Sequence, residues 1–235
     1  MDRFRHEFSL AELIRIAKII ICQGARRHLH FDSIKYRTLN HLEQAMTNTQ
    51  TLSHPRRFLF LLASSRAQGN TEQLARVAAQ SLPAEVEQQW INLHDYDMPD
   101  FVDQRHTGEG QYPVPQGAMR ELLDATLAAT DLVFVTPLYW YSLPAAAKKY
   151  LDHWSGWMRV PGYDFKEKMR GRRLWNITVT ADEDQSYAQA LVDSLRITAG
   201  YMEMPWNGSL IGYGNRPGEV MQDVRALERA ASYFV

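Results

Sequence analysis

Two short stretches of this chain gather residue types that can hold a charged, flat ligand. The first reads Ser64-Ser65-Arg66-Ala67-Gln68-Gly69-Asn70-Thr71. The hydroxyls of Ser64, Ser65 and Thr71 can donate hydrogen bonds to phosphate oxygens, and Arg66 can add a fork of charged donors. Gly69 lets the backbone turn closely around such a group. A helix starting at Asn70 would aim its free N–H groups and its dipole at the same anion. The stretch has neither the Gly-Lys-Ser/Thr of a P-loop nor GxGxxG, which argues against an ATPase and against an ordinary dinucleotide fold. A site for one terminal phosphate, held without a metal, is what these residues suit. The plainer alternative is a helix cap and a turn, since Ser, Asn and Thr are common capping residues.

The second stretch is Thr136-Pro137-Leu138-Tyr139-Trp140-Tyr141-Ser142-Leu143-Pro144. Three consecutive aromatics between two prolines cost solvation in an exposed loop unless they cover something. A flat ring system is a natural partner, with offset stacking worth about 0.5–1.5 kcal/mol per pair. The plainer alternative is packing between helices or at a subunit interface. A phosphate nest and an aromatic wall at neighbouring strand ends together describe a mononucleotide with a large ring, and flavin mononucleotide (FMN) fits.

Position gives the two stretches their meaning. The first follows Phe58 to Ala63, a continuous apolar run expected of a strand buried on both faces. The second follows Asp131 to Thr136, a run of the same kind. Further strands are expected at Val86–Leu93, Arg173–Thr180 and within Met204–Tyr213. Helical periodicity places helices at Asn70–Leu82, around Met119–Leu127, Ala147–Met158, Tyr187–Leu195 and Val220–Ala231. Five strands alternating with five helices predict a parallel sheet covered on both faces, with right-handed crossovers. Ligands of such sheets bind beyond the carboxyl ends of the strands, at the switch point. The residues after Ala63, Thr136 and Thr180 are therefore the candidates.

Before Pro55 the pattern differs. Ser9 and Glu12 are spaced as a capping box, with Phe8 and Leu13 placed as a hydrophobic staple. Leu10, Leu13, Ile14, Ala17, Ile20 and Ile21 repeat at helical spacing up to Gly24. A weaker helix is expected over Ser33–Met46, then a polar linker over Thr47–His54. Residues 1–55 are thus expected to form a helical arm and linker, and 56–235 the α/β domain. The net charge of −1 gives no support to a nucleic-acid partner. A single cysteine, Cys22, excludes an internal disulfide and fits a reduced, cytoplasmic protein. The stretch Leu13–Cys22 is too short for a membrane span and contains Arg15 and Lys18, so neither a span nor a signal peptide is expected. His28, His30 and His41 lack a carboxylate or Cys spaced to complete a tetrahedral site, so no metal is expected.

In SSRAQGNTEQLA (Ser64–Ala75) and DLVFVTPLYWYSLPAAAKKYLDHW (Asp131–Trp154), the chain resembles the NADPH-dependent FMN reductases, an NAD(P)H oxidoreductase group with a flavodoxin-like fold. A weaker match runs from Phe165 through Lys168 and Gly171 to Arg173. The resemblance covers Arg57 to the C-terminus and not the arm. It implies a flavodoxin-like doubly wound sheet, with Ser64, Ser65, Arg66, Gly69, Asn70 and Thr71 holding the FMN phosphate. It implies that Pro137, Leu138, Tyr139, Trp140 and Tyr141 border the ribityl chain and ring, with Thr180 and Ala181 beside them. It implies NAD(P)H as donor, a quinone, free flavin, nitro or azo compound as acceptor, and a homodimer. The flavin carries that chemistry, so no catalytic side chain is named. The rival is a flavodoxin-type electron carrier without NAD(P)H activity, whose docking surface is usually strongly acidic; the near-neutral charge argues against it. Two features depart from the family. Thr180-Ala181-Asp182-Glu183-Asp184 stands where many relatives have glycines, and Tyr141 replaces a residue that is often small. Carboxylates facing the flavin would disfavour its anionic reduced form; alternatively they cap the next helix.

Overall fold

The computed structural model describes residues 55–235. The expected arm, Cys22 and the three histidines lie outside the described residues. The strands are β1 (Arg57–Leu62), β2 (Glu87–Asn92), β3 (Asp131–Val135), β4 (Arg173–Thr180) and β5 (Trp206–Tyr213). The helices are α1 (Asn70–Ala79), α2 (Gly117–Ala128), α3 (Ala145–Trp157), α4 (Phe165–Met169), α5 (Gln189–Tyr201) and α6 (Val224–Ala230). All four strand pairings are parallel, in the order β2-β1-β3-β4-β5. That is the flavodoxin-like order, with its switch between β1 and β3.

Strict alternation along the central strands builds the two cores. Leu59 and Leu61 of β1 and Leu132 and Phe134 of β3 face one side, with Leu122 and Leu123 of α2, Tyr150, Trp154 and Trp157 of α3, and Leu191 and Leu195 of α5. Phe58, Phe60, Val133 and Val135 face the other, with Leu74 and Ala78 of α1, Ala226 and Ala230 of α6, and Phe234. Each face of these strands is buried, so their sequences read as unbroken apolar runs. Trp154 and Trp157 pack on the buried face of α3. Burying the apolar side chains contributes about 1.5–3 kcal/mol for each large one.

The polar sequence of β2 follows from its place at the sheet edge. Its Trp90 stacks flat on Phe60 at 3.9 Å between centroids, and the Arg76 guanidinium covers its other side at 3.5 Å. Asp131 is fully buried at the start of β3, where Arg56 (2.8 Å) and Trp175 Nε1 (2.9 Å) donate to it. Two differences from the sequence reading concern helices. Phe165–Met169 forms a short helix that periodicity did not reveal, and α6 is preceded by a 3₁₀ turn at Glu219–Gln222. No helix among the described residues is long and apolar enough to cross a membrane.

The register sets the site. Leu62 lies opposite Val135, and Val135 opposite Ile177. The chain therefore leaves β1, β3 and β4 on one edge of the sheet, side by side. Buried Asn176 locks that edge, donating to Phe134 O (2.9 Å) and Thr136 Oγ1 (3.1 Å) and accepting from Ser209 Oγ (2.9 Å).

Candidate functional site

The β1–α1 loop is shaped by its own hydrogen bonds. Ser64 Oγ accepts from the Arg66 N–H at 3.1 Å, while Ser65 and Arg66 stand exposed. The close turn falls at Gln68, whose φ is 55°, and not at Gly69, whose φ is −69°. A Cβ at Gly69 would stand 3.5 Å from Ser64 Oγ and from Arg66 O, an ordinary packing contact, so neither space nor φ demands glycine there. No side chain caps α1, so the first-turn N–H groups have no acceptor from the capping position. A cavity of about 210 Å³ opens between Ser64, Arg66, Gln68 and the end of β2 at Asn92.

Two residues there behave differently from the sequence reading. Asn70 points away from the loop. Its Nδ2 donates to Gly214 O (3.0 Å) and Arg216 O (2.9 Å), and its Oδ1 accepts from Gly218 N (2.8 Å). It clamps the loop after β5 onto α1. Thr71 is buried, at 3% exposure, under the first turn. Glu72, which no sequence motif singles out, accepts the Gln68 N–H at 2.9 Å and pairs with Arg76 at 3.1 Å. Its position four residues after the turn was the available signal.

The β3–α3 loop carries backbone strain. Tyr139 and Ser142 exchange two backbone hydrogen bonds, of 3.3 and 3.0 Å, around Trp140 and Tyr141. Both central residues have positive φ, 49° and 61°. Such two-residue turns ordinarily carry Asn-Gly, because a Cβ disfavours this conformation by about 1–2 kcal/mol per residue. Here two bulky aromatics hold it. Trp140 is 93% exposed and Tyr141 56%, so their burial in the protein does not offset that cost. Strain of this kind clusters at ligand sites. Tyr139 Oη lies 3.5 Å from Ser65 Oγ and joins the two loops. Pro137 and Leu138 continue from β3 half-buried, with the Leu138 N–H on Val179 O at 3.4 Å.

The third loop completes a second cavity of about 280 Å³, whose walls include Leu138, Trp140, Tyr141, Thr180, Ala181 and Tyr187. Thr180 is buried and its hydroxyl accepts the Asp182 N–H at 3.0 Å, which curls the chain over the strand end. The carboxylates after it divide their work. Asp184 caps the following turn through the Ser186 N–H at 3.0 Å, and Asp182, which lines the cavity, accepts the Asp184 N–H at 2.9 Å. Hydrogen bonds from Ser186 hold the Asp184 carboxyl below its ordinary range. Tyr187 was read from the sequence as part of a helix face. It lies instead in a 3₁₀ turn (Gln185–Ala188), half-exposed, with its ring 5.7 Å from Tyr141. Helical spacing with Ala190 and Leu191 hid it.

One sheet edge thus holds a small cavity of mixed lining, in which Ser64, Arg66, Gln68 and Asn92 offer donors, Glu72 brings a carboxylate, and Leu62, Ala67 and Val135 are apolar. Beside it is an aromatic-walled cavity, and a Ser65–Tyr139 contact spans the two loops. The first suits a phosphate and the second a planar ring. Among the described residues no group of His, Cys, Asp and Glu could hold a metal ion.

Known proteins match along the same region. The chain is 32% identical over 168 residues to YwqN of Bacillus subtilis (strain 168), provisionally named an NAD(P)H-dependent FMN-containing oxidoreductase; the match covers 71% of this chain and 90% of that protein. Solved structures share the fold. The Trp repressor binding protein from Bacillus subtilis aligns with a TM-score of 0.59 at 24% identity, covering 76% of this chain and 97% of that one. An FMN-dependent NADH-azoreductase from Bacillus anthracis, solved with FMN, aligns with a TM-score of 0.54 at 17% identity, covering 75% of this chain and 96% of that one. The family model described as flavodoxin-like fold (Flavodoxin_2) matches residues 56–234. Strand order, loop positions and this match agree, and the chain belongs to the flavodoxin-like Flavodoxin_2 family.

Proposed function

We propose that this protein is an FMN-dependent NAD(P)H oxidoreductase that reduces a small acceptor such as a quinone, free flavin, or a nitro or azo compound. The observation that carries the reading is the strained Trp140–Tyr141 turn facing Tyr187 across a cavity at the switch-point edge. Its wall suits a flat ring, on the same sheet edge as a phosphate-sized nest. The 32%-identical relative, whose name states the same cofactor and donor, supports it.

In this reading Ser64, Ser65, Arg66 and the first-turn amides of α1 hold the phosphate. Gly69 stands at the N-cap of α1, Asn70 fixes the turn from behind, and Thr71 packs beneath it. Pro137, Leu138, Tyr139, Trp140, Tyr141, Thr180 and Ala181 surround the ribityl chain and ring. When bound, FMN supplies the redox chemistry, accepting two electrons from NAD(P)H and passing them to the acceptor. The protein's part is to orient both partners on one ring face and to exclude water from the other. No side chain is required to move a proton to the nicotinamide.

A one-electron carrier is the weaker reading, because such carriers are usually strongly acidic and this chain has a net charge of −1. A homodimer is part of the proposal, and exposed Ile197 and Tyr201 beside an apolar groove between α3 and α5 suit it. The test is steady-state oxidation of NADPH and NADH by FMN-loaded protein with menadione as acceptor. Equal consumption of donor and quinone supports the enzyme. Reduction that proceeds only with a helper reductase overturns it in favour of the carrier.

A further inference from the structure

The aromatic cavity carries a sign as well as a shape. Asp182 lines it, and the segment Ala181–Asp184 holds three exposed carboxylates and no basic residue. None of the cavity-lining residues is Lys or Arg. Asp184 is held in its charged form by the Ser186 hydrogen bonds, and Asp182 is fixed at the mouth by the Asp184 N–H at 2.9 Å. Among the described residues, no ion pair is made by Asp182, Glu183 or Asp184. Basic side chains of the site sit elsewhere: Arg66 belongs to the phosphate cavity, and Arg76 is engaged by Glu72 and Trp90.

We infer that this site selects its electron acceptor by charge, taking neutral or cationic planar acceptors and rejecting anionic ones. The inference rests on the reductase reading above. A flat neutral acceptor would stack on the open face of the bound ring at this cavity, beside Tyr141, Tyr187 and Asp182. A sulfonated or carboxylated aromatic must bring its own negative charge past Asp182, which lines the cavity and is followed in the chain by exposed Glu183. Like charges at such range in a largely aqueous mouth weaken binding by about two- to fivefold each, and added salt screens that penalty. The overall conversion is balanced by NAD(P)H giving a hydride and solvent giving a proton. The quinone becomes a hydroquinone and the donor becomes NAD(P)⁺.

The test compares 1,4-naphthoquinone with 1,4-naphthoquinone-2-sulfonate as acceptors for FMN-loaded wild type and the Asp182→Asn/Glu183→Gln double variant. Taking the ratio of kcat/KM for the two quinones, then comparing variant with wild type, cancels the difference in their intrinsic reactivity. A second readout is the dissociation constant of the sulfonate from the oxidised, FMN-loaded protein, followed by tryptophan fluorescence. The inference expects the variant's ratio to shift toward the sulfonate by roughly fivefold or more, with a matching gain in its binding. It also expects the wild-type ratio to move the same way on raising salt. An unchanged ratio and unchanged binding in a variant that retains FMN and oxidises NADPH overturn the charge selection alone. A wild-type protein that retains no FMN overturns the reductase reading and this inference with it.

Discussion

Replacing Trp140-Tyr141 by Asn-Gly separates what the β3–α3 turn does for the fold from what it does for a ligand. Both residues sit at positive φ, and Trp140 at 93% exposure makes little contact that its loss would forfeit. Asn-Gly is the preferred pair for such a turn, so relief of about 1–2 kcal/mol per residue is expected. Tyr141 is 44% covered by difference from its 56% exposure, and its removal returns about 1 kcal/mol of that gain. The net is a ligand-free protein more stable by roughly 1–3 kcal/mol, or roughly 2–10 °C in Tm for a domain of this size. The same change removes two aromatic walls. At about 0.5–1.5 kcal/mol each, FMN affinity falls by roughly 5- to 150-fold. Differential scanning fluorimetry of the FMN-free protein and a fluorescence titration with FMN give the two numbers. A variant that melts lower without FMN, or binds FMN as tightly as wild type, refutes the argument that strain is held there for a ring.

Three further outcomes follow from the geometry. Asn70→Ala removes three hydrogen bonds to the loop after β5, so it lowers the stability of the FMN-free protein by about 1–3 kcal/mol in a urea titration. A residue serving only as a phosphate ligand would leave that curve unmoved. Asp131→Asn strips the charge from a fully buried carboxylate that Arg56 and Trp175 contact, and costs about 2–4 kcal/mol after allowing for the partly exposed Arg56; denaturant unfolding that matches wild type would contradict it. The Asp184 cap titrates below the ordinary aspartate value of 3.8. A depressed folded pKa adds stability above the unfolded value and loses it as pH falls through the folded one, so the turn that carries Tyr187 holds through mildly acidic pH. Carboxyl NMR with a midpoint above 3.8 for this residue would refute that.

The sheet was legible because β1 and β3 are buried on both faces, which leaves unbroken apolar runs, and because the helices between strands keep their period. The loop after β1 stood out through hydroxyls and a glycine placed right after a buried strand, and its phosphate role is part of the proposal. What escaped the sequence was side-chain direction. Asn70 and Gly69 sit in the expected motif, yet Asn70 turns toward Gly214 and Gly218, and the tight turn falls at Gln68. The direction of Asn70 depends on the loop after β5, 144 residues away in the chain, and no local pattern encodes it. Tyr187 shares helical spacing with core residues, and only the Asp184 cap shows that a 3₁₀ turn lifts it out of the helix. The positive φ of Trp140 and Tyr141 runs against local propensity, and such conflicts concentrate at functional sites.

Anaerobic reduction of the FMN-saturated, gel-filtered protein by NADPH and by NADH, followed by flavin absorption, bears on the central claim most directly. The account requires that the protein keep its flavin and that at least one nicotinamide bleach it without any other protein present. A protein that emerges colourless, or one whose bound flavin stays oxidised with both donors, contradicts it.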